Sequence, residues 1–131
     1  MLRLYADGDA NVARRVAENP GAVWLSSVAA EEAITGALNL MNKSRGKNNS
    51  LSLADAHEFF ADTLGDIGLL SLFVYRDEAE AIFGTLSAKT IRIGAQDCRI
   101  AAQAMAHGFT VVTRDVGDFT AIGATCADWS A

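Results

Sequence analysis

The sequence lacks the features typical of disulfide-rich secreted proteins, of zinc-stabilised domains and of membrane-spanning proteins. Its two cysteines, Cys98 and Cys126, fit neither a CxxC motif nor a Cys/His metal spacing, which argues against a disulfide framework and a zinc finger. No stretch approaches the ~20 apolar residues that a transmembrane helix needs. The opening MLRLYADGDA contains no apolar signal-peptide segment. We therefore expect a cytoplasmic protein with reduced thiols and no membrane partner.

Basic residues are too few to form a broad basic surface that binds nucleic acid. The chain has 11 lysines and arginines against 16 aspartates and glutamates, a formal net charge of −5, whereas proteins that coat nucleic acid present a basic face. An acidic metal site lowers the net charge by itself, and its cation restores local attraction for phosphate. The charge therefore disfavours a DNA-binding regulator and leaves a metal-dependent enzyme open.

Apolar spacing predicts helices that alternate with short apolar strands. Helical spacing covers GDANVARRVAENP, VAAEEAITGALNLMN, LADAHEFFADTLGDIG, EAEAIFGTLSA and AQDCRIAAQAMAHG, and strand patterns cover AVWLSS, LSLFVY, FTVVT and TCADW. We expect Asp9, Ser52 and Asp77 to cap helices, and Gly108 to end one in the left-handed conformation. The pattern is typical of a mainly parallel sheet covered by helices on both faces. No repeat or linker divides the chain, so residues 1–131 are predicted to form one domain.

Acidic residues lie next to several of these predicted strands. Glu31 and Glu32 are expected in the first turn of the helix after VWLSS, and Asp97 in the first turn of the helix before FTVVT. Asp115 and Asp118 come after FTVVT in the segment TRDVGDF. Ligand sites in parallel α/β folds gather beyond the carboxyl ends of strands. Carboxylates suit Mg²⁺ or Mn²⁺, and a pair of such ions can drive phosphodiester cleavage.

Each of these acids also has an ordinary structural explanation. An acid in the first turn of a helix interacts favourably with the helix dipole, by roughly 0.3–1 kcal/mol. Aspartates in a glycine-containing loop are common turn residues. An arginine at a strand end, such as Arg114, is often a surface ion pair. Spacing alone therefore leaves metal binding and a simple structural role both open.

Sequence motifs favour the metal site. From SSVAAEEAITG through RIGAQDCRIAAQAMAHGFTVVTRDVGDF the sequence resembles PIN-domain proteins of the VapC toxin type. That family has a glutamate four residues before a glycine on its first long helix, and Gly36 here picks out Glu32, with Glu31 as its neighbour. An aspartate opens a later helix in the family, and Asp97 holds that position.

The resemblance extends into TRDVGDF. Family members end the strand before this segment in TR, then an asparagine or aspartate, then DF three residues on; Arg114, Asp115, Asp118 and Phe119 fit this pattern. The resemblance covers nearly the whole chain. It implies an α/β fold, a three-layer α/β/α sandwich around a mainly parallel central sheet.

The resemblance also implies a function. By this resemblance the protein would be a ribonuclease that hydrolyses RNA with one or two Mg²⁺ or Mn²⁺ ions. The residues that would hold the ions are Glu32, Asp97, Asp115 and Asp118. Arg114 would contact the substrate. An antitoxin protein would be the partner, with a peptide that blocks the acidic cleft, and the chain would form a homodimer.

One part of the family pattern has no clear counterpart. Family members begin with a short apolar strand that ends in Asp-Thr and then Asn or Asp, and this first aspartate is a metal ligand. In one register MLRLYADGD matches the family's first helix and the loop after it, so the strand and its aspartate would precede Met1; in the other, LRLYAD is the strand and Asp7 the ligand. The first register predicts exposed strand edges, weak metal binding, little nuclease activity and a raised pKa for at least one remaining carboxylate.

Two other functions stay open beside the ribonuclease. One is a noncatalytic PIN-like remnant that binds a partner protein. The other is an α/β phosphohydrolase that uses Mg²⁺ to act on small phosphoesters. The sequence contains no Ser/His/Asp grouping and no glycine-rich phosphate loop that would point to other catalytic classes.

Overall fold

A computed structural model describes residues 10–46 and 51–130. The expected cap Asp9 and the alternative ligand Asp7 lie outside these ranges. Within them the helices are α1 (Ala10–Glu18), α2 (Ser27–Ser44), α3 (Leu53–Gly68), α4 (Asp77–Phe83), α5 (Ala88–Ile91), α6 (Ala95–His107) and α7 (Val116–Ile122). The strands are β1 (Trp24–Ser26), β2 (Ser71–Phe73), β3 (Val111–Val112) and β4 (Cys126–Ala127).

The strands pair in parallel, as the sequence predicts. β1 pairs with β2, with Leu25 opposite Leu72, and β3 pairs with β4, with Val111 opposite Cys126. Each connection between paired strands runs through at least one helix, as parallel pairing requires. Among the described residues these are two separate two-stranded sheets. The predicted α/β class with parallel strands is confirmed.

Helix packing surrounds the strand pairs, and the core is built largely from small residues. α4 packs along α6, and α2 packs along α3. One core cluster joins Cys98 and Ala101 of α6 to Phe119 and Ile122 of α7, and another surrounds Leu25 of β1. Small buried side chains on α6 let neighbouring elements approach its backbone closely. α6 is therefore the element against which both the α4 layer and the α7 layer are placed.

Several predicted helix ends are confirmed and one is wrong. The Ser52 side chain accepts a hydrogen bond from the backbone N–H of Asp55, and Gly108 ends α6 at φ 68°. Asp77 is not a cap: Arg76 holds the extended N-cap position, without a side-chain capping bond, and Asp77 is the first helical residue. There its charge still faces the positive end of the helix dipole. The helix predicted over EAEAIFGTLSA ends at Phe83, and a separate short helix, α5, comes next.

The segment TRDVGDF differs from the expected loop. It leaves β3 and becomes α7, so Gly117 and Asp118 are helical. The Thr113 hydroxyl accepts a hydrogen bond from the backbone N–H of Asp115 at 3.0 Å and fixes the turn between strand and helix. Phe119 is buried against Cys98 and Ala101 of α6. The helix forms because Phe119 and Ile122 share its inner face, a tertiary contact that outweighs the local preference of glycine for a loop.

No helix in the described part of the chain combines the length and the apolar character needed to cross a membrane.

Leu25 should carry much of the stability of the β1 region, because it is 1 % exposed. We expect Leu25→Ala to lower the free energy of unfolding by about 2–5 kcal/mol, the usual cost of truncating a buried leucine. Leu38→Ala is the matched control, since Leu38 is 44 % exposed and should change stability by less than about 0.5 kcal/mol. Urea unfolding followed by circular dichroism measures both. Equal effects for the two variants would contradict this account of the core.

Candidate functional site

A cleft of about 1200 Å³ opens between the two strand pairs. Residues of β1, including Trp24 and Leu25, line it on one side, and Val111 and Val112 of β3 line it on the other. Glu32, which comes after β1, and Asp115, which comes after β3, line the same cleft. The carboxyl ends of β1 and β3 therefore lead to a common place, as expected for a ligand site in a parallel α/β fold.

Glu32 reaches the cleft from α2, but not from the position that the sequence predicts. α2 begins at Ser27, directly after β1, because the Ser26 side chain caps it by accepting a hydrogen bond from the N–H of Val28. The first turn of α2 consequently contains no acid, and Glu31 and Glu32 lie in the second turn. The prediction of first-turn glutamates is wrong. Stabilisation by the helix dipole, which fades beyond the first turn, is therefore a weaker explanation for them.

The three aspartates belong to α6 and to the start of α7. Asp97 lies in the first turn of α6, as predicted. Asp115 occupies the N-cap position of α7 without capping it through its side chain, and Asp118 lies in the first turn of α7. Asp97 and Asp115 line the cleft together with Glu32.

Electrostatic coupling links these acids. Partial burial raises the pKa of Asp97 most, and the negative charges of Asp115 and Asp118 raise it further. The pKa of Glu32 is raised first by loss of solvent in the cleft and then by Asp97 and Glu31. The expected rise in pKa of at least one carboxylate is thus found for two. Asp97 is the common member, coupled to Glu32 on one side and to Asp115 and Asp118 on the other.

The donor set fits a hard divalent cation in type. Every acid in the group offers carboxylate oxygens, the ligands that Mg²⁺ and Mn²⁺ prefer, and their mutual repulsion is what a cation would relieve. These side chains do not form a closed coordination shell. In residues 10–46 and 51–130, no three Asp, Glu, His or Cys side chains stand close enough together to form a ready-made metal site.

A buried glutamine holds the walls of the cleft together. Gln103 of α6 is 2 % exposed; its Oε1 accepts a hydrogen bond from the Ser26 hydroxyl at 2.6 Å, and its Nε2 donates to the backbone oxygen of Phe73 at 2.7 Å. It therefore connects α6 to the ends of β1 and β2. Sequence reasoning missed Gln103. The available signal was a polar residue on the otherwise apolar inner face of a helix, beside Ala102 and Ala104.

A second polar connection lies at the acidic end. The Gln96 amide donates a hydrogen bond to the Glu31 carboxylate, and Arg99 donates to the Oε1 of Gln96 at 2.9 Å. The guanidinium of Arg99 also lies over the Phe83 ring, 4.5 Å from its centroid. These contacts join α2 to α6 one residue away from Glu32 and Asp97. No sequence pattern signals the pairing, because residues 31 and 96 meet only in the folded chain.

Arg114, the predicted substrate contact, lies at the rim of the cleft. Its side chain is exposed and lines the cleft beside Asp115. Its Nε donates a long hydrogen bond of 3.4 Å to the Ser130 hydroxyl. The position is compatible with a contact to a phosphate oxygen.

The raised pKa of Asp97 predicts that its ionised carboxylate destabilises the folded protein at neutral pH. A carboxyl whose pKa is higher in the folded state than in the unfolded state loses stability as pH rises through the folded value. Asp97→Asn should therefore raise the thermal midpoint at neutral pH without divalent ions. The gain should shrink as pH falls and both states become protonated. Differential scanning calorimetry across pH measures this, with Asp62→Asn, an exposed change on α3, as the control. A midpoint that falls at neutral pH would refute it.

Removal of the Gln103 side chain should lower the stability of the folded protein. Gln103→Ala removes the acceptor of the Ser26 hydroxyl and the donor to the Phe73 carbonyl, both partly buried groups, and each such hydrogen bond contributes about 0.5–1.5 kcal/mol. We expect a loss of that order or somewhat more in the free energy of unfolding. Gln96→Ala, at a partly exposed position, should cost clearly less. Denaturant titration of both variants decides the order, and the reverse ranking would contradict the role given to Gln103.

Comparisons with known proteins identify a family model and solved structures that match this chain. The PIN domain family model matches residues 1–124. No curated protein sequence matches the chain. Among solved structures, a chain of DNA-bound VapBC from Salmonella typhimurium is similar, with a TM-score of 0.75 and 25 % identity over 98 % of this chain and 91 % of that chain.

Two further structures share the fold at lower identity. A chain of VapBC-1 from nontypeable Haemophilus influenzae has a TM-score of 0.70 and 20 % identity, over 99 % of this chain and 92 % of that one. A chain of FitAB bound to an IR36 DNA fragment has a TM-score of 0.66 and 20 % identity, over 94 % and 85 %. The family match over most of the sequence establishes that the chain belongs to the PIN-domain family, and chains of the two VapBC structures share its fold.

Proposed function

We propose that this chain is a metal-dependent ribonuclease of toxin–antitoxin type that hydrolyses RNA phosphodiester bonds. The observation that carries the proposal is that Glu32, Asp97 and Asp115, from three helical segments, line one cleft, where burial and then the neighbouring acids raise the pKa values of Asp97 and Glu32. Membership of the PIN-domain family supports nuclease activity in general. The placement of Glu32 after β1 and of Asp115 after β3, in one cleft, supports the site.

The residues proposed to hold Mg²⁺ or Mn²⁺ are Glu32, Asp97, Asp115 and Asp118. A divalent ion held there would supply an acidified, oriented water and would stabilise charge on the leaving oxygen. The acids would position that chemistry in the cleft, and the ion would offset the burial and the neighbouring charges that raise the pKa values of Asp97 and Glu32. Arg114 at the rim is proposed to contact a non-bridging phosphate oxygen and hold the RNA backbone against the acidic end.

The proposed protein partner is an antitoxin. The similar structures from Salmonella typhimurium and Haemophilus influenzae are both VapBC complexes, which supports a partner of this kind. The cleft offers such a partner an apolar end, with Trp24 and Phe109 exposed, and an acidic end. We further propose that the protein acts in the cytoplasm as a homodimer, with Cys98 and Cys126 as free thiols.

A second function is favoured by one specific observation. The described residues do not include three acids close enough to enclose an ion. A PIN-like module that has lost catalysis and only binds a partner protein would show this arrangement. The two functions differ in how the protein responds to divalent ions.

Thermal unfolding with and without Mn²⁺ tests the ribonuclease proposal. Binding to the folded state alone stabilises it, by about 2.7 kcal/mol at a hundredfold excess over the dissociation constant. We expect Mn²⁺ to raise the thermal midpoint and to support cleavage of single-stranded RNA. Asp97→Asn should abolish both effects, because Asp97 is the acid coupled to all the others.

Asp62→Asn is the matched control for this experiment. It removes one negative charge from an exposed position on α3 and should keep both the Mn²⁺ shift and the cleavage. Absence of both responses in the unaltered chain would reject the ribonuclease and favour the noncatalytic module. A Mn²⁺ shift that survives Asp97→Asn would remove Asp97 from the site.

A further inference from the structure

A second, smaller pocket lies beside the acidic end of the cleft. Its volume is about 390 Å³, and it is lined by Ser27, Val28, Glu31, Tyr75, Gln96 and Arg99. Two of these residues directly precede proposed metal ligands: Glu31 precedes Glu32 on α2, and Gln96 precedes Asp97 on α6. A group bound in this pocket would therefore lie next to the proposed cleavage site.

The cationic side of the pocket is Arg99. Its guanidinium is partly buried and is supported from below by the Phe83 ring at 4.5 Å. One N–H group is engaged by the Oε1 of Gln96, and the planar fork carries further donors. Stacking and this one hydrogen bond fix the plane of the guanidinium, so little conformational entropy is lost when a ligand binds to it.

The opposite side of the pocket is a carboxylate. One oxygen of Glu31 accepts a hydrogen bond from the Gln96 amide, and the exposed carboxylate has further acceptor capacity. The Gln96 amide thus stands between Arg99 and Glu31 and holds the donor and the acceptor at a fixed separation.

This combination of groups discriminates between possible ligands. A bare phosphate is disfavoured, because Glu31 would repel it. A guanine base matches both sides: its O6 and N7 accept hydrogen bonds from arginine, and its N1–H and amino group can donate to a carboxylate. Adenine presents an amino group in place of O6 and would meet the Arg99 donors with another donor. Tyr75 adds an aromatic wall of the kind on which unpaired RNA bases stack.

We propose that this pocket is a guanine-binding subsite that selects RNA with a guanosine next to the cleaved phosphodiester. The inference rests on the proposed ribonuclease function for its biological meaning, but binding of the base does not require the metal. Arg99 would read O6 and N7, and Glu31 would read N1–H and the amino group. Gln96 acts as a positioning residue for both.

Neutral nucleosides test the subsite without metal and without a phosphate. Guanosine, inosine and adenosine are titrated separately into the isotope-labelled protein in EDTA, and amide chemical shifts near residues 27–31 and 96–99 are followed. We expect guanosine to bind at least about fivefold more tightly than adenosine, the lower end for one bidentate base contact. Inosine, which lacks the amino group, should fall between them.

Two variants test the two contacts, and a third is a control for the replacement of arginine by lysine. Arg99→Lys keeps the charge but loses the fork, and Glu31→Gln keeps the shape but loses the carboxylate; each should remove most of the guanosine preference while the protein stays folded. Arg92→Lys, at an exposed site on the end of α5, should leave the preference unchanged. If Gln96, Glu31 and Arg99 only clamp α2 to α6, these variants will alter thermal stability and the three nucleosides will bind alike, which overturns the subsite.

Cleavage of RNA in Mn²⁺ separates this inference from the proposed function. Oligoribonucleotides that differ only in a single guanosine or adenosine are compared. Cleavage without any base preference, together with equal nucleoside binding, would overturn the subsite and leave the nuclease standing. Guanosine-selective binding without cleavage would support the subsite and reject the nuclease.

Discussion

The site depends on β1 and β3 ending at the same cleft. β1 is paired in parallel with β2 and β3 with β4, and Glu32 and Asp115, which come after β1 and β3, line one cleft. Asp97 lines the same cleft from the first turn of α6. The convergence therefore depends on where the two strands end and where three helices begin.

Bringing these acids together opposes folding, and other contacts have to hold the cleft in place. The raised pKa values of Asp97 and Glu32 reflect first their loss of solvent and then the repulsion between neighbouring acids. Gln103 ties α6 to the ends of β1 and β2, and Gln96 ties α6 to α2. Both glutamines are uncharged, so they connect the walls without adding to the negative potential. The acidic group is thus supported by a frame of neutral hydrogen bonds and small apolar contacts.

Sequence patterns predicted the parts of the structure that depend on local chemistry. The Ser52 cap, the Gly108 helix end, the parallel strands and the placement of Asp97 in a first turn all rest on short motifs. The features that could not be predicted depend on contacts between distant residues. α7 forms over TRDVGDF because Phe119 and Ile122 are buried against α6, and the Gln96–Glu31 pair spans two separate helices. Assignment of Glu31 and Glu32 to the first turn failed because Ser26 both ends a strand and caps the next helix.

The absence of any loop between β1 and α2 has a mechanical consequence. Ser26 is the last residue of the strand and Ser27 the first residue of the helix, so nothing flexible separates the two. In an α-helix each residue advances the side-chain direction by about 100°. An insertion or deletion of one residue at this junction would therefore rotate Glu32 out of the cleft while leaving the helix itself intact. Natural variation in length should be tolerated far better after Ser44 than at this strand-to-helix joint.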